Sequence, residues 1–211
     1  VTAKERADID ALAASIAGGS AMRERELLLS LFGSQSQLMR TAITLERLRV
    51  ESAKPDAERE SGYQARDHAL IEGVLKQVQR RYAPEVEKAL LTALLTRYQQ
   101  LPDAQRLPGF DAAFGRTPAA LTQALDALYA NTKLGDEAER LSRFAAAREG
   151  RPMAADPLID LAASLVPVQL ALEQERKTRA GDQLRLRPAY MRALFAWRRQ
   201  PGRALSPDAN R

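Results

Sequence analysis

The chain has 211 residues, 45% hydrophobic and 28% charged, a balance ordinary for a globular protein and a length that allows one large domain or two small ones. Cysteine is absent, which excludes disulfides, zinc–thiolate centres and a cysteine nucleophile; no apolar run approaches the ~18 residues of a membrane span. The net charge is +5, and much of the excess falls at Arg185, Arg187, Arg192, Arg198, Arg199 and Arg203. No nucleic-acid recognition motif accompanies these arginines. They read best as a solvated helix face whose stems cover apolar surface, and nucleic acid is not expected as a partner.

Ala, Leu, Arg, Glu and Gln dominate and aromatics make up only 5%, so composition favours helix over strand. A first helix is predicted over residues 3–17, ended by Gly18-Gly19. Ser20 then caps a second helix reaching about Glu51, some ~48 Å long at about 1.5 Å per residue. Its apolar positions, from Leu27 through Phe32 and Leu38 to Leu48, recur every three or four residues. Gly33-Ser34-Gln35-Ser36 lies within it and reads as a kink. Lys54-Pro55-Asp56 breaks the pattern. A third helix is predicted from Pro55 to about Tyr82, burying Tyr63, Leu70, Ile71, Val74, Leu75 and Val78. A fourth starts at Pro84 and turns Val86, Leu90, Leu91, Leu94, Leu95 and Tyr98 inward.

From Leu101 to Gly115 prolines and glycines interrupt the chain, and a loop with one or two short helical turns is expected, anchored by Phe110 and Phe114. Thr117-Pro118 signals the next helix, which ends near Tyr129. Residues 136–148 form another, with Leu141 and Phe144 inward. Asp156-Pro157 opens a long final segment, kinked at Pro167 and broken at Gly181 and Pro188 before a helix holding Tyr190, Leu194, Phe195 and Trp197. Tyr190, Leu194 and Trp197 are expected to be at least partly buried. Oppositely charged pairs, Glu72 with Lys76, Asp136 with Arg140, Glu139 with Arg143 and Glu173 with Lys177, support these helices by ~0.2–0.5 kcal/mol each. The fold is therefore all-α: antiparallel long-helix hairpins in an irregular helical bundle, with residues 1–211 as a single helical domain.

Chemistry is sparse. The one histidine, His68, follows Asp67 on a helix, where neighbours project about 100° apart, so Asp67 is poorly placed to orient the ring. A structural histidine is the better reading. Glu-x-x-His, HExxH, GxGxxG and GxxxxGK(S/T) are all missing, which leaves helix-bundle metal sites, zinc proteases and nucleotide binding without support. The sequence thus yields no catalytic, metal or cofactor-binding residue.

Four segments carry a resemblance. Ser206-Pro207-Asp208-Ala209-Asn210-Arg211 closes the chain. Lys54-Pro55-Asp56-Ala57-Glu58-Arg59 is followed by Gly62-Tyr63-Gln64-Ala65-Arg66-Asp67. Asp126-Ala127-Leu128-Tyr129 leads to Leu134, and Asp156-Pro157-Leu158-Ile159 follows. In this order and spacing, over most of residues 20–211, they resemble the helical domain of bacterial serine dipeptidyl-peptidases of the family that includes dipeptidyl-peptidases 7 and 11 and dipeptidyl aminopeptidase BII. The resemblance implies a chymotrypsin-like double β-barrel with a helical cap inserted, the chain being the later part of that cap. It further implies release of dipeptides from peptide amino termini, a periplasmic or secreted location and a homodimeric parent. The family's catalytic His, Asp and Ser belong to the barrels and match nothing here. Its cap asparagine, which holds the substrate amine, has only Asn131 and Asn210 as candidates, neither in a matching context.

Two readings follow. One is a non-catalytic cap that covers and gates the cleft of a serine exopeptidase. The other is a free-standing helical binding module that uses its basic C-terminal stretch for nucleic acid or an acidic partner. Opening on Val1, the chain reads as a fragment of a longer protein. A strand is then expected beyond Arg211 and further cap helix before Val1.

Overall fold

A computed structural model describes residues 2–199. Among these, nine α-helices and several single 3-10 turns occur, and no strand. The helices are α1 (Ala3–Ala21), α2 (Arg23–Gln35), α3 (Gln37–Ser52), α4 (His68–Gln77), α5 (Pro84–Gln99), α6 (Pro108–Phe114), α7 (Pro118–Asn131), α8 (Glu137–Ala147) and α9 (Pro157–Arg198). The chain divides into two compact units. One takes Glu24–Gln169; the other takes Val1–Arg23 with Leu170–Arg211.

Local capping explains most helix starts. Thr2 and Glu5 form a reciprocal capping box at α1. Thr117 accepts from the Ala120 N–H ahead of Pro118, and Asp136 accepts from the Glu139 N–H. Pro84 and Pro108 occupy first helical positions, where no N–H is needed. Asp156 Oδ1 accepts from the Leu158 N–H at 3.0 Å at the start of α9.

Several boundaries differ from expectation. α1 runs through Gly18-Gly19, and Ser20 is inside it rather than capping the next helix. An ideal Cβ on Gly19 would stand 2.9 Å from the Arg179 guanidinium, so this glycine admits an arginine against the helix instead of ending it. The predicted second helix is two helices. At Ser36 the backbone is extended (φ −93, ψ 128), and its hydroxyl caps the Met39 N–H. Residues 55–67 are not helical apart from two 3-10 turns, Asp56–Glu58 and Ala65–Asp67, and Gly62 takes φ 92. Three carboxylates hold this stretch by accepting backbone N–H groups: Glu51 from Glu60, Asp67 from Gly62 and Gln64, and Asp56 from Ala65. Gly181 and Pro188 do not break α9, which is assigned as one helix throughout.

In the unit Glu24–Gln169, α3 and α4 both pack on α8, and α5 and α6 on α7. Leu38, Met39, Leu45, Leu48, Leu75, Leu91, Leu121, Leu125 and Leu134 are almost wholly buried there. Phe32, Tyr98, Phe110 and Phe114 form an aromatic cluster with ring centroids 5.0–5.8 Å apart. The predicted apolar stripes are too wide. Leu70, Val74, Val86 and Leu90 face solvent, while Ile71, Leu75, Leu91 and Leu95 on the same helices are buried.

In the unit Val1–Arg23 with Leu170–Arg211, only Leu12, Leu186 and Ala189 are buried among the described residues. Polar contacts join its two helices: Gln183 Nε2 donates to Ser15 Oγ at 3.4 Å, and Arg192 Nε to Glu5 Oε1 at 3.2 Å. Leu194 is half-buried, whereas Tyr190 and Trp197 keep 43% and 51% of their surface accessible.

Candidate functional site

His68 is the residue most able to do chemistry, and it opens α4. Its Nε2 is buried without a hydrogen-bond partner, and the ring stands edge-on to Phe144 at 6.2 Å. Burial lowers its pKa, and the nearby Arg59 and Arg148 charges add to that. Asp67 spends its carboxylate on the Gly62 and Gln64 N–H groups, at 3.1 and 3.2 Å, not on the imidazole. The Asp-His neighbours are therefore not a catalytic pair, and no described serine is hydrogen-bonded to His68.

Ser36 belongs to a hydroxyl–carboxylate arrangement that invites a nucleophile reading. Its Oγ donates to Glu87 Oε2 at 2.7 Å, Tyr129 donates to the same oxygen at 3.0 Å, and the Gln37 N–H meets Oε1 at 2.6 Å. Ser36 is fully buried and Glu87 nearly so. Burial, reinforced by the Glu87 charge, pushes the Tyr129 phenol far above its ordinary range. That phenol stays a donor, the hydroxyl has no access to substrate, and no imidazole serves as base. The cluster ties the start of α3 to α5 and α7.

Two further polar clusters act in the same way. Asp156 accepts from Thr132 Oγ1 (2.9 Å), the Lys133 N–H (2.7 Å) and the Leu158 N–H, with Arg143 Nη2 at 3.8 Å. Arg140 is wholly buried. Its guanidinium donates to the carbonyls of Leu75 (2.9 Å), Leu134 (2.8 Å) and Gly135 (3.0 Å), fixing the last turn of α4 against the loop before α8. The expected Asp136–Arg140 ion pair is thus replaced: Asp136 caps its helix and Arg140 binds carbonyls. The Glu72–Lys76 and Glu139–Arg143 pairs do form.

A groove of about 420 Å³ in this unit lies between α6, α7 and the first turns of α9. Ala112, Ala113, Phe114, Ala124 and Leu161 give it an apolar lining, with Asp160 and Ser164 as polar members. The Ser164 hydroxyl donates to the Leu161 carbonyl at 2.7 Å. Asn131 Nδ2 likewise donates to its own helix, to the Ala127 carbonyl at 2.7 Å. Asn210, Arg203 and the segment Ser206–Arg211 lie outside the described residues. Among those described, no group of three or more His, Asp or Glu side chains is placed to hold a metal ion.

The Peptidase S46 family model matches residues 2–211. The chain belongs to the peptidase S46 family. A curated relative, the Asp/Glu-specific dipeptidyl-peptidase of Shewanella putrefaciens, is 34% identical over 177 residues, covering 83% of this chain and 24% of the relative. The chain therefore spans about a quarter of the length of the peptidase it matches. In this member of the family, two of the segments that carried the resemblance fall on identifiable features. Pro55–Asp67 is the carboxylate-held stretch after α3, and Asp156-Pro157 is the start of α9.

The buried clusters around Glu87 and Arg140 carry no mark in the sequence. Glu87 sits in the first turn of a proline-started helix, where an exposed carboxylate complementing the helix dipole is ordinary. Ser36 is one of several small polar residues in a row. Only Asp156 was marked in advance, by the proline after it.

Proposed function

We propose that this chain is the non-catalytic cap of a serine exopeptidase that releases dipeptides from peptide amino termini, and that it covers and gates the active-site cleft. One observation carries the reading. The chain matches the peptidase family over residues 2–211 but only 24% of a dipeptidyl-peptidase relative, and its described residues pair no serine with a histidine. A lid needs neither nucleophile nor metal. It needs a rigid body that excludes water and completes the site on closure, and the three buried polar clusters supply that rigidity. In this reading residues 1–211 are the later part of one helical domain, inserted in a chymotrypsin-like double β-barrel that holds the catalytic triad. The parent is a periplasmic or secreted homodimer acting on peptides. No described helix is long and apolar enough to cross a membrane.

The test uses the parent protein encoded by the same gene. The parent should cleave a chromogenic dipeptidyl substrate, and residues 1–211 alone should not. Removing residues 1–211 should lower kcat/KM for peptides while leaving the barrel's serine reactive toward a small phosphonylating probe. Turnover by residues 1–211 that disappears in His68→Ala, or unchanged peptide kcat/KM after the deletion, would overturn the assignment.

A further inference from the structure

The final turns of α9 carry a surface that the cap role alone does not explain. Between Leu184 and Arg199 there are five arginines and no Asp or Glu. Leu184, Pro188, Met191 and Phe195 follow one another at spacings of four, three and four, which puts them in one row along the helix. Leu184, Pro188 and Phe195 are exposed, Leu184 at 70% and Phe195 at 48%. Arg187 and Arg198 flank the row on one side, Arg192 and Arg199 on the other. Arg192 is held by Glu5, but Arg187, Arg198 and Arg199 have no carboxylate partner among the described residues.

A row of apolar side chains at this spacing is the ridge by which one helix packs into another. Purely ionic steering would need no such ridge, and a solvated face would not carry an exposed Phe and Leu within it. Arginine on both flanks sets the charge of the occupant: carboxylates meet guanidinium forks in short paired bonds. We infer that this ridge is the docking strip for an acidic amphipathic helix, apolar along its centre and bordered by Asp and Glu, supplied by the part of the parent polypeptide outside this chain. The inference rests on the cap reading, in which such a parent exists. About three quarters of the dipeptidyl-peptidase relative lies outside the matched region, ample sequence to supply the helix.

The experiment places a single cysteine at Phe195→Cys in residues 1–211, which contain none, and in the parent protein. Reaction of the thiol with a maleimide is timed in both. Docking predicts labelling about tenfold slower in the parent, and a benzophenone attached there should cross-link within the same polypeptide to a segment rich in Asp and Glu. Adding Arg187→Glu and Arg199→Glu should restore the fast rate, whereas Arg187→Lys and Arg199→Lys should not. Circular dichroism confirms that each variant keeps its helix. Equal labelling rates in the two proteins, cross-links only to a second copy, or protection that appears only with anionic vesicles or an oligonucleotide would overturn the proposal. Loss of dipeptidyl cleavage by the unmodified parent, with labelling still slowed, would instead strike the cap reading and spare the docking strip.

Discussion

The two units solve the problem of burying side chains in opposite ways. The unit Glu24–Gln169 closes on itself: leucines from six helices and a four-ring aromatic cluster fill it, and each deeply buried charge meets a specific polar partner. Among its described residues, the two-helix unit buries three apolar side chains and leaves Ile16, Leu184, Phe195 and Trp197 about half exposed or more. Its connections are polar contacts at 3.2–3.4 Å near the surface. Two helices have one seam between them and cannot enclose a core, so their apolar surface is available to other chain. The contrast separates residues that hold a body together from residues that present a surface.

The largest effect should come from Arg140→Ala. It empties a wholly buried site and removes a donor from three carbonyls, of which Gly135 keeps the Gln79 amide, so a loss of about 3–5 kcal/mol in urea unfolding is expected. Arg140→Met, which refills the volume, should recover only part of it. Glu87→Ala should follow at about 3 kcal/mol, since Ser36, Tyr129 and the Gln37 N–H lose their acceptor together. If either variant melts like the wild type, the polar clusters do not hold the larger unit together.

Acidification gives a smaller effect of known sign. The His68 pKa is lowered from 6.5, first by burial and then by Arg59 and Arg148, against the weaker pull of Asp56 and Asp67. Between that depressed value and 6.5 the unfolded chain takes up the proton and the folded chain does not. The contribution of neutral His68 is therefore complete above pH 6.5 and lost as pH falls through this window. His68→Gln should flatten the change in Tm between pH 7.5 and 5.5; an identical pH profile would show that the imidazole is not held neutral.

The smallest effect should be Leu184→Ser, within about 0.5 kcal/mol, against about 2–5 kcal/mol for Leu91→Ala in the larger unit. Comparable losses from the two would erase the distinction between core and surface drawn here.

The sequence exposed what is decided within a few residues. Thr117, Asp136 and Asp156 cap helices because each hydroxyl or carboxylate reaches an N–H two or three residues on, whatever the rest of the chain does. Decisions made by distant partners were hidden. Ser36 caps a helix and Ser20 does not, although both follow a glycine-containing stretch. The difference is Glu87, which receives both the Ser36 hydroxyl and the next N–H and stabilises the extended backbone there. Leu70 and Val74 were placed in the core because a leucine on a helix gives no sign of how wide the contact with its neighbour is. Family membership and the all-α class were legible; the Glu87 and Arg140 clusters, whose long-range bonds join residues 42 to 65 positions apart, were not.

Arg140 has a consequence for the solutions in which the larger unit keeps its packing. Its charge is answered by the oxygens of three peptide groups, one of them in the last turn of α4, where the backbone dipoles leave partial negative charge. The guanidinium is wholly buried and its bonds to Leu75 and Leu134 lie in the interior, so dissolved ions do not reach between donor and acceptor there. The exposed pairs, such as Lys4 with Asp8 or Arg185 with Asp182, weaken once the screening length shrinks to a few ångströms in concentrated salt. Brine should thus loosen charges on the outside of this protein and leave the fastening between α4 and α8 as tight as it is in dilute buffer.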